Sequence, residues 1–311
     1  MVVSLKLKEM AGQVEKLAPG HRLCAGCGEG IVLRQLLAAI DDPVVLGCAT
    51  GCLEIATSIY PFSSWRVPWI HNAFENVSTT IAGAEAAYRS LVRQGKIEDR
   101  GIKFIAIGGD GATYDIGLQW ISGAFERGHK FLYVCLNNEA YMNTGIQRSG
   151  ATPLGASTTT SPAGEVIPGK IQWRKPITKI MAAHDIPYVA QVSPSHWRDL
   201  MQKTQKALAA DGPSFINAFT SCNRGWRHDT DQTIEISRLA VDTCYWPLYE
   251  VEKGVWRLTY KPKEKKPAEE FLKAQGRFRH LFQPKFRHII EEFQAKVDEE
   301  WEWLLQQCGE K

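Results

Sequence analysis

The sequence predicts an α/β fold, a mostly parallel sheet with helices on both faces, extended at its C-terminus by a helical arm. Three observations carry this. Short apolar runs end in turn residues, helical patterns lie between those runs, and the composition shifts near residue 251. At 311 residues, 44% hydrophobic and 23% charged, the chain can bury one large α/β core or two modest ones and has no signature of disorder.

Residues 44–46 run into Gly47, 104–107 into Gly108-Gly109, 131–136 into Asn137-Asn138, and 215–219 into Thr220-Ser221. Continuous apolar runs of this length read as strands buried on both faces, hence parallel. Helical patterns over 75–93, 115–127 and 195–209 separate them, so the alternation is βαβ. In such a sheet a ligand sits beyond the carboxyl ends of the strands, where these turn residues gather.

Residues 152–175 are rich in Thr, Pro and Gly and read as a long loop of the kind that is usually functional. Lys261-Pro262-Lys263-Glu264-Lys265-Lys266-Pro267 reads as a solvated linker. Beyond it Phe286, Ile289, Ile290, Phe293, Val297, Trp301 and Leu304 recur at helical spacing, a stripe to pack on the chain's own core or on a neighbouring subunit. The expected division is a main domain over residues 1–250 and a linker with helical arm over 251–311.

Several function classes are set aside. Residues 1–20 intersperse Lys6, Lys8, Glu9, Glu15 and Lys16 among apolar residues, unlike a signal peptide, and no window has the ~18 uninterrupted apolar residues of a membrane span. The expectation is a cytoplasmic protein without a membrane partner. A net charge of +3 with dispersed Lys and Arg is no footprint for nucleic acid. Eight cysteines without a secretion signal point to metal or redox use for some of them.

The strand over 104–107 enters Gly109-Asp110-Gly111-Ala112, and 28 residues after Asp110, about one strand–helix–strand unit, stands Asn138. Two adjacent strand ends would then present a carboxylate and an amide oxygen to one point, a hard oxygen set suited to Mg²⁺ beside phosphate. Gly109 and Gly111 let the backbone approach a diphosphate, favoured by the N-terminus of the helix over 115–127. Gly-Asp-Gly followed at this distance by Asn-Asn is similar to the thiamine diphosphate motif.

Cys24 and Cys27 form a CxxC among small residues, and Cys48 and Cys52 follow. By spacing alone these four could hold zinc or belong to a [4Fe–4S] cluster. Cys135, inside an apolar run, reads as a small buried hydrophobe.

The run from Gly20 to Gly30, Ala49-Thr50-Gly51-Cys52-Leu53-Glu54, Val67-Pro68-Trp69-Ile70-His71, Asn138-Glu139-Ala140-Tyr141-Met142-Asn143-Thr144-Gly145-Ile146-Gln147, Gly225-Trp226-Arg227 and Gln275-Gly276-Arg277-Phe278-Arg279-His280 together resemble the beta subunit of pyruvate:ferredoxin oxidoreductase. The likeness spans nearly the whole chain. It implies the thiamine-diphosphate-binding fold and a 2-oxoacid:ferredoxin oxidoreductase subunit of an anaerobic organism, catalytic only with alpha and gamma/delta-type subunits and delivering electrons to ferredoxin. It implies cluster ligands Cys24, Cys27, Cys52 and Cys222, with Cys48 a bystander, and Mg²⁺ held by Asp110, Asn138 and the Ala140 carbonyl. Glu29, Cys52, Gly109, Asp110, Gly111, Ala112, Asn138, Glu139, Ala140, Tyr141, Met142 and Asn143 would line the cofactor, with Asn143 near the thiazolium, while the glutamate that activates the aminopyrimidine would come from the alpha chain.

Pyruvate is the default substrate of that family. Arg66 and Arg224 depart from its uncharged pattern and would suit a dianion such as oxalate, because Arg binds carboxylates bidentately. Two further readings remain: a non-oxidative thiamine diphosphate lyase or synthase subunit, which would not need the cysteines, and a zinc-stabilised structural subunit.

Overall fold

The computed structural model describes residues 12–310, so the charge pattern noted over residues 1–11 lies outside the described residues. Eight strands form one sheet: β1 Val44–Ala49, β2 Trp69–Asn72, β3 Lys103–Gly109, β4 Leu132–Asn137, β5 Tyr188–Val192, β6 Ser214–Phe219, β7 Leu248–Glu252 and β8 Val255–Tyr260. Their order is β2-β1-β3-β4-β6-β5-β7-β8. The first six run parallel, and β7 and β8 close one edge as an antiparallel hairpin.

The helices are α1 Gly28–Ala38, α2 Cys52–Thr57, α3 Val77–Arg93, α4 Leu118–Glu126, α5 Ile177–Ala182, α6 Trp197–Ala209, α7 Asn223–Trp226, α8 Thr233–Asp242, α9 Ala268–Lys273 and α10 Arg287–Gln307. The pleat sends alternate residues of each central strand to opposite faces. Ile105 and Ile107 of β3, Leu132 and Val134 of β4, and Ile216 of β6 pack with Leu33 and Leu36 of α1 and Leu200 and Met201 of α6. Phe104, Ala106, Tyr133 and Phe215 face the other way, onto Ile81 of α3, Ile121 of α4 and Ile236 of α8. Both faces are covered, which is why these strands read as continuous apolar runs.

Four strands escape the apolar-run signal. β2 is a four-residue edge strand, and β8 alternates exposed and half-buried residues along its length. The boundary expected at residue 250 falls inside β7, and β8 lies wholly beyond it. β7 is still buried and pairs on both sides, with β5 and β8, and only β8 is the half-exposed edge strand. The stripe of α10 packs into the same core as α3 and α8, with Phe293 and Val297 fully buried. At roughly 1.5–3 kcal/mol for each large apolar side chain buried, this helix is a major part of the main core.

The helix expected over 115–127 starts differently. A wide π turn, Gly111–Ile116, begins directly after Asp110, and α4 follows Gly117. This winding carries the Asp115 carboxylate to the Tyr141 hydroxyl at 2.9 Å and the Gly150 N–H at 2.8 Å. Such turns gather at functional positions. No helix among the described residues is long and apolar enough to cross a membrane.

Candidate active site

The chain leaves β1 for β2 on one side and returns to β3 on the other, so the strand order reverses between β1 and β3. A crevice opens at the carboxyl ends of strands at such a point. Here a cavity of about 290 Å³ lies there, lined by residues at and just beyond the ends of β1 (Ala49 to Leu53), β3 (Gly108 to Gly111) and β4 (Asn138, Ala140 to Thr144), with Glu29 and Phe74. The parallel pairing of β3 with β4 sets Gly109 beside Leu136, which brings Asp110 and Asn138 together at the strand ends.

Asp110 is almost fully buried, and burial pushes its carboxyl well above the ordinary range. Its Oδ2 accepts from the Ser149 hydroxyl. Glu29 enters from the first turn of α1, where Asn138 Nδ2 donates to its Oε1 at 2.8 Å and its Oε2 is buried without a partner among the described residues. Burial raises the Glu29 carboxyl to about 7, the Asn138 bond opposing it. A buried carboxylate, an amide oxygen and a neighbouring main-chain carbonyl are the donor set of a hard cation. Open space stands where a Cβ on Gly109 would be, and a Cβ on Gly111 would meet the Tyr141 ring at 2.2 Å. The two glycines thus serve different ends: one leaves room beside the turn, the other lets Tyr141 close on it.

Ten residues expected around a cofactor line the cavity: Glu29, Cys52, Gly109, Asp110, Gly111, Asn138, Ala140, Tyr141, Met142 and Asn143. Two do not. Ala112 turns into the core beneath the π turn, and Glu139 points away into a fully buried pair with Arg277. The reason is local: Glu139 has a left-handed backbone, φ 65°, which sends its side chain opposite to those of its neighbours. Ala49, Thr50, Gly51, Leu53, Phe74 and Thr144 join the lining without having been singled out individually, and Cys48, expected as a bystander to the cluster, lines it too. Most follow β1, and only that strand's end signals them.

Cys52 is the one cavity-lining cysteine of the expected set, and the Asn143 side chain hydrogen-bonds its sulfur. Cys27 and Cys222 lie within electrostatic reach of Cys52, and Cys24 within reach of Cys222. Burial pushes the Cys27, Cys52 and Cys222 thiols up, with the Glu29 carboxylate adding to it. Main-chain N–H groups of Glu29 and Gly30 point to Cys27, and that of Gly225 donates to Cys222 Sγ at 3.4 Å. One backbone hydrogen bond joins the loops, Gly28 N–H donating to the Ser221 carbonyl at 3.1 Å, and glycine permits the approach, since a Cβ on Gly28 would strike Ser221 backbone at 2.8 Å. Of the four cysteines grouped by spacing, Cys48 is buried and Cys24 is exposed. Among the described residues no three of His, Cys, Asp or Glu are close enough to share a single metal ion.

Arg66 and Arg224 are exposed, and neither lines the cavity. Arg66 sits before β2 and Arg224 on the outer side of α7, so nearness in sequence to Trp69 and Cys222 does not bring either guanidinium to the crevice.

The thiamine pyrophosphate enzyme C-terminal TPP binding domain matches residues 46–218. The pyruvate synthase subunit PorB of Thermotoga maritima is 54% identical over 311 residues, covering 97% of this chain and 96% of the relative. That of Methanocaldococcus jannaschii is 53% identical over 291 residues, 93% and 96% of the two chains. The ketoisovalerate oxidoreductase subunit VorB of Pyrococcus abyssi is 44% identical over 292 residues, 93% and 92%. A solved 2-oxoglutarate:ferredoxin oxidoreductase from Magnetococcus marinus shares the fold, with TM-score 0.55 and 19% identity over 76% of this chain and 81% of that one. With a parallel sheet, a crevice at its reversal point and relatives of this identity along its whole length, the chain belongs to the family of beta subunits of pyruvate and other 2-oxoacid:ferredoxin oxidoreductases, built on the thiamine pyrophosphate binding domain.

Proposed function

We propose that this subunit binds thiamine diphosphate with Mg²⁺ in the crevice and a [4Fe–4S] cluster beside it, and that the assembled enzyme oxidatively decarboxylates pyruvate, passing electrons one at a time to ferredoxin. The carrying observation is Cys52, which lines the cavity and at the same time lies within reach of Cys27 and Cys222. Asp110, Asn138 and the Ala140 carbonyl are the oxygen donors for Mg²⁺, and Gly109 leaves room for the diphosphate. Bound thiamine diphosphate supplies a nucleophilic carbon and an electron sink for decarboxylation.

This chain's own residues then orient and insulate. Asn143 holds the Cys52 sulfur at the cavity wall, and Phe74 and Met142 give that wall an apolar face. Cys24, Cys27, Cys52 and Cys222 ligate the cluster. Four thiolates are the ligand set of a four-iron core. Pyruvate is favoured over oxalate because the relatives are named pyruvate synthase and because Arg66 and Arg224 stand outside the lining. The glutamate that activates the aminopyrimidine belongs to an alpha subunit, so the isolated chain turns nothing over.

Anaerobic purification with the partner subunits tests this. Four iron atoms per beta subunit at the named cysteines, and reduction of a low-potential acceptor by pyruvate, are expected. Zinc in place of iron supports the structural-subunit reading, and turnover without an electron acceptor supports the non-oxidative one.

A further inference from the structure

Glu139 stands between Asn138 and Ala140, and it alone of the three faces away from the cavity. Its carboxylate is fully buried, accepting from Tyr245 at Oε1 and from the Arg277 guanidinium at Oε2, each at 2.5 Å. Its own backbone is tied at both ends: its N–H donates to Asn137 Oδ1 at 3.1 Å, and its carbonyl accepts from Thr152 Oγ1 at 2.7 Å. Arg277 comes from the turn over Gly276–Phe282, far along the chain, and its Cζ lies 3.9 Å from the centre of the Trp226 ring. Trp226 in turn donates from Nε1 to the Asn138 carbonyl at 2.8 Å.

A left-handed backbone is costly at a glutamate and persists only where its surroundings enforce it. Here three separate segments enforce it on one residue: Tyr245 after α8, Arg277 before α10, and Thr152 in the long loop. We propose that Glu139 and Arg277 form a positioning pair that sets the Asn138 side chain and the Ala140 carbonyl at the angle a cation needs. This rests on the thiamine diphosphate and Mg²⁺ reading above. Neither residue touches the cavity, so neither is a catalytic residue. Their effect passes through the peptide units on either side of Glu139, as outer-shell partners act on the ligands they orient.

The test uses the intact multi-subunit enzyme, depleted of cofactor and titrated with thiamine diphosphate at fixed Mg²⁺ by calorimetry, with kcat and the KM for the cofactor measured in parallel. Glu139→Gln and Arg277→Met are each expected to weaken cofactor binding roughly 10- to 100-fold, the range for losing an outer-shell partner. The double variant should be no worse than the weaker single one, and kcat at saturating cofactor should stay within about twofold. Arg277→Lys should recover part of the affinity. Unchanged affinity in all variants, whatever happens to the melting temperature, overturns the proposal and leaves the pair a purely structural one. If Glu139→Gln does not assemble, Tyr245→Phe, which removes one hydrogen bond and keeps the ring, decides by the same measure. Failure of the wild-type enzyme to bind thiamine diphosphate at all would instead sink the reading of the crevice.

Discussion

Asn138 donates to Glu29 across the floor of the crevice, 2.8 Å from Nδ2 to Oε1, although 109 positions separate them in the chain. At the other end of the same amide, the Asn138 oxygen accepts from the Ala140 N–H at 3.4 Å. One hydrogen bond thus joins the helix that begins after the CxxC to the strand end that follows β4.

Asp110 sits on a strand-end turn and contributes little to either core, so Asp110→Ala is expected to weaken Mg²⁺ and thiamine diphosphate binding by at least tenfold while the chain still folds. Calorimetric titration beside a far-ultraviolet circular dichroism spectrum checks both halves. Full cofactor affinity in this variant would remove the carboxylate from the site.

Cys222→Ser is expected to lose or convert the cluster, because serine oxygen replaces a thiolate poorly as an iron ligand, whereas Cys48→Ser, buried in the core, should keep its iron. Iron and sulfide content of anaerobically purified protein decides. The opposite pattern would restore the grouping of Cys24, Cys27, Cys48 and Cys52.

Arg66→Ala and Arg224→Ala should each change kcat/KM for pyruvate by less than about threefold, the usual reach of an exposed side chain outside a site. Should either one abolish a measurable oxalate activity while sparing pyruvate, the two-arginine account of a dianionic substrate would regain its footing, with the partner subunit bringing the arginine to the substrate.

Lys170 is buried, donating to the Thr152 and Gly150 carbonyls, and burial lowers its ammonium to about 8. Its folded value lies below the ~10.4 of an unfolded lysine. Below pH 8 both states are protonated and the folded state bears the full cost of a buried cation. Between pH 8 and 10.4 the unfolded chain holds a proton that the folded chain lacks, so this group's contribution to stability rises with pH. Urea midpoints at pH 7.5 and 9.5 should therefore diverge between wild type and Lys170→Met, with wild type gaining relative to the variant as pH rises. Parallel profiles would show that the lysine keeps an ordinary proton affinity.

Asp110 and Asn138 are legible in the sequence because each directly follows an apolar strand, and parallel neighbours end at the same level. The CxxC is legible as a local pattern. Glu139 with Arg277 is not, since the partners are 138 positions apart and neither position repeats with any period. Nor does the sequence reveal that Glu139 turns away from its neighbours, because the left-handed backbone responsible is imposed by Tyr245, Thr152 and Arg277 together. The β7–β8 hairpin escapes notice for a different reason: β8 is an edge strand with one wet side, and in β7 the buried Glu250 breaks the continuous apolar run by which the central strands are found. For Arg66 and Arg224, charge type suggests a chemistry, but only the fold says which way an exposed loop residue looks.

The contact of Gly28 with Ser221 and the pairing of Glu139 with Arg277 also bear on when the site can exist during synthesis. On the proposed reading, a ribosome makes the CxxC first, the segment that completes the cysteine set follows Ser221, and Arg277, which pairs with Glu139, comes later still. Contacts so remote in sequence form after the local ones, once the entropy of closing long loops has been met. On the proposed reading, the berth for metal and cofactor is finished only once the segments around Ser221 and Arg277 have joined the strand ends, and loading belongs to the folded subunit.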